Sequence, residues 1–266
     1  MKMKYRFSLI ATAIALLLST VPAMADLKFG IAAEPYPPFA SKDPGGKWVG
    51  WEVDLMDAVC AQMKERCEIT EVAWDGIIPA LTGKQIDVIW SSMLITEKRK
   101  EVIDFSNMYY DTPPAIIGPK NGDLDYSTEH LKGKSLGVQV STAHERHAQK
   151  YLVPNGVELK IYSTQDEANN DLAAGRLDYV LANSSALFAF LATSQGGDCC
   201  ELKGMIDKPD PGIYGEGVGG GVRKEDAALK EKLNAAISAL AKNGKFDEIT
   251  ARYPELVGKI TIPKAD

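Results

Sequence analysis

Arg99 has the most specific chemistry among the polar side chains of this sequence, because a guanidinium can hold a carboxylate through two parallel hydrogen bonds. It stands in a charged segment, residues 97–101, that follows Thr96. Thr96 is suited to cap a helix here, whose free N–H groups and positive end would strengthen anion binding. From spacing alone, an exposed arginine in a charged surface segment is the more common outcome, so both alternatives stay open.

Two aromatic residues are candidates for the walls of a binding site. Tyr36 lies in a proline-flanked loop after an apolar segment, and Trp74 stands at a helix start. Flat rings can enclose an aliphatic stem and attract a cation, although core packing is the commoner fate of a lone aromatic residue. A proline-flanked loop is an unusual place for a core residue, which favours the binding-site interpretation for Tyr36.

Two segments, residues 81–92 and 172–183, repeat one pattern. Each begins with the end of a predicted helix, continues with a glycine followed directly by a basic residue, and ends in an apolar run that predicts a strand covered on both faces. The predicted strands end in Ser91 and Ser92 in one copy and in Asn183 in the other. Ligands of open α/β sheets bind beyond the carboxyl ends of strands, so the repeat predicts a cleft shared by two lobes. The alternative is a chance similarity between two ordinary α/β turns.

Alternating strand and helix patterns predict an α/β fold. Residues 53–63 and 227–241 carry apolar side chains on one helical face. Segments rich in proline and glycine near 110–114 and 209–221 predict two crossings between lobes, and hence a two-strand hinge. The expected divisions are a signal peptide at 1–25, the first lobe at 26–112 and 213–266, and the second lobe at 113–212.

The N-terminus predicts secretion. Lys2, Lys4 and Arg6 precede an apolar run, and a small-x-small site ends at Ala25, which is the order of a signal peptide. Removing these three basic residues lowers the formal net charge from −6 to −9. An acidic chain of this kind is a poor candidate for binding nucleic acid or an anionic membrane.

Four cysteines fit an oxidising compartment. A bridge between Cys60 and Cys67 would staple a short loop between a helix and a strand. Cys199 and Cys200 are adjacent, and a vicinal bridge is weighed equally against free or differently paired thiols. The cysteines lack the CxxC spacing of a metal site.

Several motifs occur along the mature chain in a fixed order. They are Tyr36–Phe39, Gly50–Leu55, the Cys60/Cys67 spacing, Trp74–Leu81, Ser91–Arg99, Asp104–Ser106, Ala174–Asp178 and Gly215–Val218. Their order and spacing are more specific than any one motif. Taken together, they resemble the periplasmic polar-amino-acid-binding proteins of ABC importers, a group that includes lysine/arginine/ornithine-, histidine- and octopine/nopaline-binding proteins.

This resemblance implies a type II periplasmic binding protein fold, in which two lobes enclose a ligand. It assigns Arg99 to the ligand carboxylate, Tyr36 and Trp74 to the aromatic walls, and Asn183 to the amino group. Glu52 corresponds to an acidic position near the distal end of the ligand. Further ligand contacts are implied for Ser91, Ser92, Leu94, Thr142 and Ala143.

Several positions depart from the pattern of the group. Leu94 and Ala143 replace residues with hydroxyl groups, Asn183 replaces an aspartate, and the acidic residue Glu34 stands one place closer to the tyrosine than usual. The positive charge of a free α-ammonium group on the ligand would therefore meet fewer hydroxyl and carboxylate acceptors here. This supports the hypothesis of an opine-like or N-substituted amino acid as the ligand.

We therefore expect a periplasmic solute-binding protein, monomeric and without a cofactor, that delivers an amino-acid-like carboxylate to a membrane-embedded ABC permease. His144 and His147, spaced i and i+3, lack a third metal ligand in the sequence, so exposed helix positions are the more common outcome. The main alternative is a periplasmic dehydratase-like enzyme on the same scaffold, with Glu34 or Glu52 as general acid. A receptor's sensing module is a second alternative.

Overall fold

The computed structural model describes residues 26–120, 122–206 and 209–264. The signal-peptide prediction for residues 1–25 lies outside the described residues. Within them, no helix combines the length and apolar character needed to cross a membrane.

Strands and helices alternate along the chain. The first part contains β1 (Leu27–Ala32), β2 (Ser41–Lys42), β3 (Trp48–Val49), α1 (Trp51–Met63), β4 (Cys67–Val72), α2 (Ile77–Thr82), β5 (Val88–Ile89), α3 (Glu97–Lys100) and β6 (Asp104–Tyr110). The middle part contains β7 (Pro114–Pro119), β8 (Ser135–Gln139), α4 (Ala143–His147), β9 (Glu158–Tyr162), α5 (Gln165–Ala173), β10 (Tyr179–Asn183), α6 (Ser184–Leu191), α7 (Ser194–Cys199) and β11 (Cys200–Met205). The last part contains α8 (Pro211–Tyr214), β12 (Val218–Val222), α9 (Ala227–Lys242) and α10 (Lys245–Thr250).

Two five-stranded sheets define two lobes. The first lobe is built on the order β4-β1-β5-β12-β6, and the second on β11-β7-β10-β8-β9. In each sheet four strands run in the same direction, and the fifth, β12 in the first sheet and β7 in the second, is antiparallel to both of its neighbours. The two copies of the sequence repeat supply β5 and β10, which are the central strands of their sheets. The repeat therefore marks equivalent positions in the two lobes.

The chain passes between the sheets twice. It leaves the first sheet after Tyr110 and enters the second at Pro114, and it returns between Met205 and Val218. At the first crossing the Thr112 hydroxyl hydrogen-bonds the hydroxyls of two serines that begin α6, at 2.9 and 2.8 Å. The fold is thus the predicted α/β architecture of two lobes with a two-strand hinge.

The start of α1 differs from the sequence prediction. Helix α1 begins at Trp51 rather than at residue 53, because the fully buried Trp51 indole is anchored by a 2.9 Å hydrogen bond to Thr250. Gly50 precedes it with a φ of 133°, and a Cβ there would lie 2.2 Å from the Phe39 carbonyl oxygen. Strand β10 ends at Asn183, as the sequence predicts.

The structure pairs all four cysteines. Cys60, in α1, is bonded to Cys67, at the start of β4. Cys199 and Cys200 form a vicinal disulfide between α7 and β11, which resolves the alternative that the sequence left open.

Candidate functional site

A cavity lies between the two lobes and spans about 590 Å³ of space not occupied by atoms, part of it open to solvent. Its lining comes from the carboxyl ends of β1, β8 and β10, from the loops that follow β1 and β5, and from the starts of α3, α4 and α5. This is the position expected for a ligand between open α/β sheets. The residues predicted from the sequence that line it are Tyr36, Trp74, Ser91, Ser92, Leu94, Arg99, Thr142, Ala143 and Asn183.

Arg99 is a buried cation in this cavity. It lies on α3, whose cap Thr96 accepts a hydrogen bond from the Arg99 backbone N–H at 3.4 Å, and only 7% of Arg99 is exposed. Its guanidinium donates to the carbonyl oxygens of Leu94 at 2.9 Å and Ser141 at 3.1 Å. Burial, reinforced by the nearby Arg146, lowers the pKa of Arg99 to about 9, so Arg99 stays charged at neutral pH.

No carboxylate of the described residues lies within ion-pair distance of Arg99. A buried charge without a counter-ion is costly. An anionic group of a ligand in the cavity would compensate it.

Trp74 forms one wall and also connects the lobes. Its ring lies 5.5 Å from the guanidinium carbon of Arg99, which is within the range of a cation–π contact. Its indole N–H donates to the Val140 carbonyl oxygen of the second lobe at 2.9 Å. This bond and the one from Arg99 to Ser141 hold the lobes together, so the structure shows a closed arrangement.

Two oxygen atoms in residues that line the cavity are buried without hydrogen-bond partners among the described residues. They are Asn183 Oδ1 and Glu34 Oε2. Asn183 ends β10 and is 3% exposed. Because an unsatisfied buried acceptor costs free energy, this pair is suited to receive the N–H groups of a ligand.

Glu52 does not line the cavity, and its predicted role as a direct contact is corrected. The start of α1 at Trp51 turns the Glu52 side chain inward, where it is 1% exposed. Its carboxylate accepts the Ser92 backbone N–H at 2.7 Å, the Ser92 hydroxyl at 2.9 Å and the Tyr109 hydroxyl. Burial raises the pKa of Glu52. Glu52 therefore holds Ser92, which does line the cavity, in a left-handed backbone conformation with φ 52°.

The remaining predicted residues line the cavity but leave few hydrogen-bonding groups available to a ligand. The Ser91 hydroxyl already accepts the Ala32 N–H at 2.9 Å. Thr142 caps α4 by accepting the Glu145 N–H at 3.1 Å, and it donates to the Gln139 carbonyl oxygen at 2.7 Å. Leu94 and Ala143 add apolar surface where the related group has hydroxyls.

Five further lining residues were not predicted as contacts, and Glu34 was noted as a departure from the pattern and as a candidate general acid. The five are Ala32, Pro35, Gln139, His144 and Gln165. Gln139 ends β8, so the rule that located Asn183 at a strand end would also have found it. Burial lowers the pKa of His144 to about 3, which keeps its imidazole neutral, and His144 is 6% exposed. The exposed surface expected for His144 and His147 is therefore wrong, because α4 packs both of them against Tyr214.

The site offers no metal centre within the described ranges: no group of three or more His, Cys, Asp and Glu side chains there is arranged to hold an ion.

The two sheets, the two crossings and the interlobe cavity define the two-lobe, type II fold of periplasmic binding proteins. Residues 27–255 match the bacterial extracellular solute-binding proteins, family 3, and the chain belongs to this family. The resemblance inferred from the sequence motifs is thereby confirmed.

Named relatives support the same class. The L-arginine-binding protein of Pseudomonas aeruginosa is 43% identical over 89% of this chain and 90% of its own length. The histidine-binding periplasmic protein of Escherichia coli (strain K12) is 36% identical over 82% of this chain and 84% of its own length. A solved structure, an ancestral arginine-binding protein bound to arginine, superposes with a TM-score of 0.78 at 34% identity and covers 86% of this chain and 98% of its own. These relatives are named as binding proteins, in agreement with the family of solute-binding proteins to which the chain belongs.

Proposed function

We propose that this protein is a periplasmic receptor that captures a polar amino acid, or a closely related carboxylate, between its lobes and delivers it to an ABC permease. The observation that carries the proposal is that the buried Arg99, which has no carboxylate partner among the described residues, shares a cavity with Asn183 Oδ1 and Glu34 Oε2, two acceptors that are unsatisfied within the same residues. A zwitterion would satisfy both kinds of group at once.

In this proposal the ligand carboxylate binds Arg99. The ring of Trp74 already faces the guanidinium, and Tyr36 lines the same cavity, so the aliphatic part of the ligand lies against aromatic surface. The amino group donates to Asn183 and Glu34. The names of the relatives, which refer to arginine and histidine, support a polar amino acid as the head of the ligand.

The amino-group acceptor suggests a narrower ligand class. Asn183 offers a neutral amide oxygen where the related group has a carboxylate, and Leu94 offers no hydroxyl. A secondary amine has fewer N–H groups to satisfy than a primary ammonium. We therefore propose an N-substituted, opine-like amino acid as the preferred ligand, with the free amino acid as a weaker one.

Transport follows from closure. Residues of both lobes line the cavity, so a ligand that contacts both stabilises the closed form by its differential affinity for it. The direct bonds between the lobes, from Trp74 and Arg99, exist only when the lobes meet. The permease would then recognise the surface of the closed protein.

Isothermal titration calorimetry tests the binding proposal with L-arginine, L-lysine, L-histidine, L-glutamine and the N-(1-carboxyethyl) derivatives of arginine and glutamine. Arg99→Met should weaken the best ligand by about 3 kcal/mol, roughly 100-fold, because a buried charged partner is lost. Arg66→Met is the matched control, since the Arg66 side chain is 84% exposed. Unchanged affinity in Arg99→Met would overturn the carboxylate assignment. Tight, selective binding of a free amino acid would overturn the preference for N-substitution.

Fractionation tests the location. Intact-mass measurement of protein released by osmotic shock should show a chain that begins at Asp26, and recovery only with the cytoplasmic fraction would contradict a periplasmic receptor.

A further inference from the structure

A second compartment adjoins the ligand cavity. It spans about 860 Å³ of unoccupied space, part of it open to solvent, between the loop at residues 35–37 of the first lobe and helices α5, α6 and α7 of the second. Pro35, Tyr36 and Gln165 line both spaces, so the two spaces adjoin at these three side chains.

Primary amides dominate the polar lining of this second compartment. The Gln165 amide donates to Asn169 Oδ1 at 3.0 Å, and both residues are only 5% exposed. Nearer the surface, the Gln195 amide of α7 donates to Asn170 Oδ1 of α5 at 3.1 Å. Each amide has two donor hydrogens and an acceptor oxygen, so these pairs keep unused donor and acceptor capacity.

The charge of the lining is low and of one sign. Asp166 is the only charged residue among the lining residues, and no ion pair to it occurs within the described residues. No Lys or Arg of the described residues lines the compartment, so a substituent with a carboxylate would meet no counter-ion there. Asp166 is an exposed residue, so solvent screens its carboxylate and weakens its attraction for a cationic substituent. Phe190 and Tyr36 add aromatic surface.

We propose that the second compartment receives an uncharged, hydroxyl-rich substituent, of the polyol or sugar type, carried by the amino-acid head bound at Arg99. Amide groups can donate to and accept from neighbouring hydroxyls, and a carboxylate can accept from them, while aromatic rings cover the C–H faces. This inference rests on the proposed function and narrows its ligand class.

Calorimetry with matched ligands tests the inference. L-Glutamine and L-arginine are each compared as the free amino acid, the N-(1-deoxyfructosyl) derivative and the N-(1-carboxyethyl) derivative. For at least one of the two amino acids, the deoxyfructosyl derivative should bind at least tenfold more tightly than the free amino acid and the carboxyethyl derivative. The double variant Asn170→Ala/Gln195→Ala should remove at least fivefold of that advantage and leave the free amino acid within twofold. Asn155→Ala, an exposed amide outside both cavities, is the control and should change neither.

The outcomes separate the two proposals. If a free amino acid binds and its deoxyfructosyl derivative binds no better, the compartment inference fails and the proposed function stands. Equal gains in affinity from the carboxyethyl and deoxyfructosyl groups would also overturn the compartment inference. The same holds if the double variant weakens the binding of all ligands alike. If no member of either panel binds, the proposed function fails and the inference fails with it.

Discussion

The substitution Trp74→Phe isolates the contribution of lobe closure to affinity. It keeps an aromatic wall in the cavity and removes only the indole N–H that reaches the Val140 carbonyl oxygen at 2.9 Å. The two residues lie in different lobes and 66 positions apart in the chain, so the bond exists only in the closed form. The proposed ligand does not need this N–H, because the bond to Val140 already uses it.

The expected magnitude follows from one neutral hydrogen bond. Its net contribution is about 1 kcal/mol, which corresponds to roughly fivefold in an equilibrium constant. If the ligand-free protein is mostly open, the free energy that the closed form loses with this hydrogen bond raises the apparent Kd by the full corresponding factor. We therefore expect Trp74→Phe to raise the Kd by about three- to tenfold, mainly through faster ligand dissociation.

Trp48→Phe is the matched control. Trp48 is also a tryptophan of the first lobe, and its indole N–H donates to Glu71 Oε1 at 3.0 Å within the same lobe. The control should lower the free energy of unfolding by a similar amount and leave the Kd unchanged. Calorimetry gives the Kd, stopped-flow fluorescence the dissociation rate, and urea denaturation the stability.

Two results would refute this account of closure. A Kd within twofold of the wild type would show that the interlobe bond contributes nothing to ligand retention. A loss greater than 100-fold would show that the indole N–H contacts the ligand directly.

Three further predictions concern stability. Arg223→Leu should lower the free energy of unfolding by about 2–3 kcal/mol in urea denaturation, because Arg223 donates to the Leu81 and Ile86 carbonyl oxygens at 3.2 and 2.6 Å and pairs with Asp87 at 2.9 Å; a loss below 1 kcal/mol would contradict this. Cys60→Ser/Cys67→Ser should cost about 2–3 kcal/mol, since the bridge closes a short loop with a sequence separation of 7, and identical unfolding midpoints would argue against it. The pKa of His144 is lowered from 6.5 to about 3, so unfolding takes up a proton and stability should fall progressively as the pH drops from 6.5 towards 3. His144→Gln should flatten that part of the profile, and a slope equal to that of the wild type would exclude His144 as its source.

Much of the site was predictable because its residues stand where local patterns change. Ser91 and Asn183 follow apolar runs that could only be buried strands, and Thr96 precedes a charged helix start. These signals depend on neighbours within a few positions, which the sequence shows directly. The two repeat copies strengthened them, since β5 and β10 hold the same central place in their sheets.

The role of Glu52 was not predictable in the same way. It lies between two apolar residues at the start of a helix, and a glutamate there is ordinarily solvated. Its burial depends on Tyr109, 57 positions away, and on Ser92, 40 positions away, whose hydrogen bonds satisfy the carboxylate. No local pattern reports partners at that distance.

The sequence by itself determined the alternation of strands and helices, the strand ends that carry polar residues, and the family to which the chain belongs. Only the tertiary structure decided that Glu34, His144 and Gln165 share one cavity, that Glu52 stands behind it, and that Trp74 bridges the lobes. The physical reason is that periodicity and capping are set by near neighbours along the chain, whereas burial and hydrogen-bond partnership are set by which distant segments the folded lobes bring together.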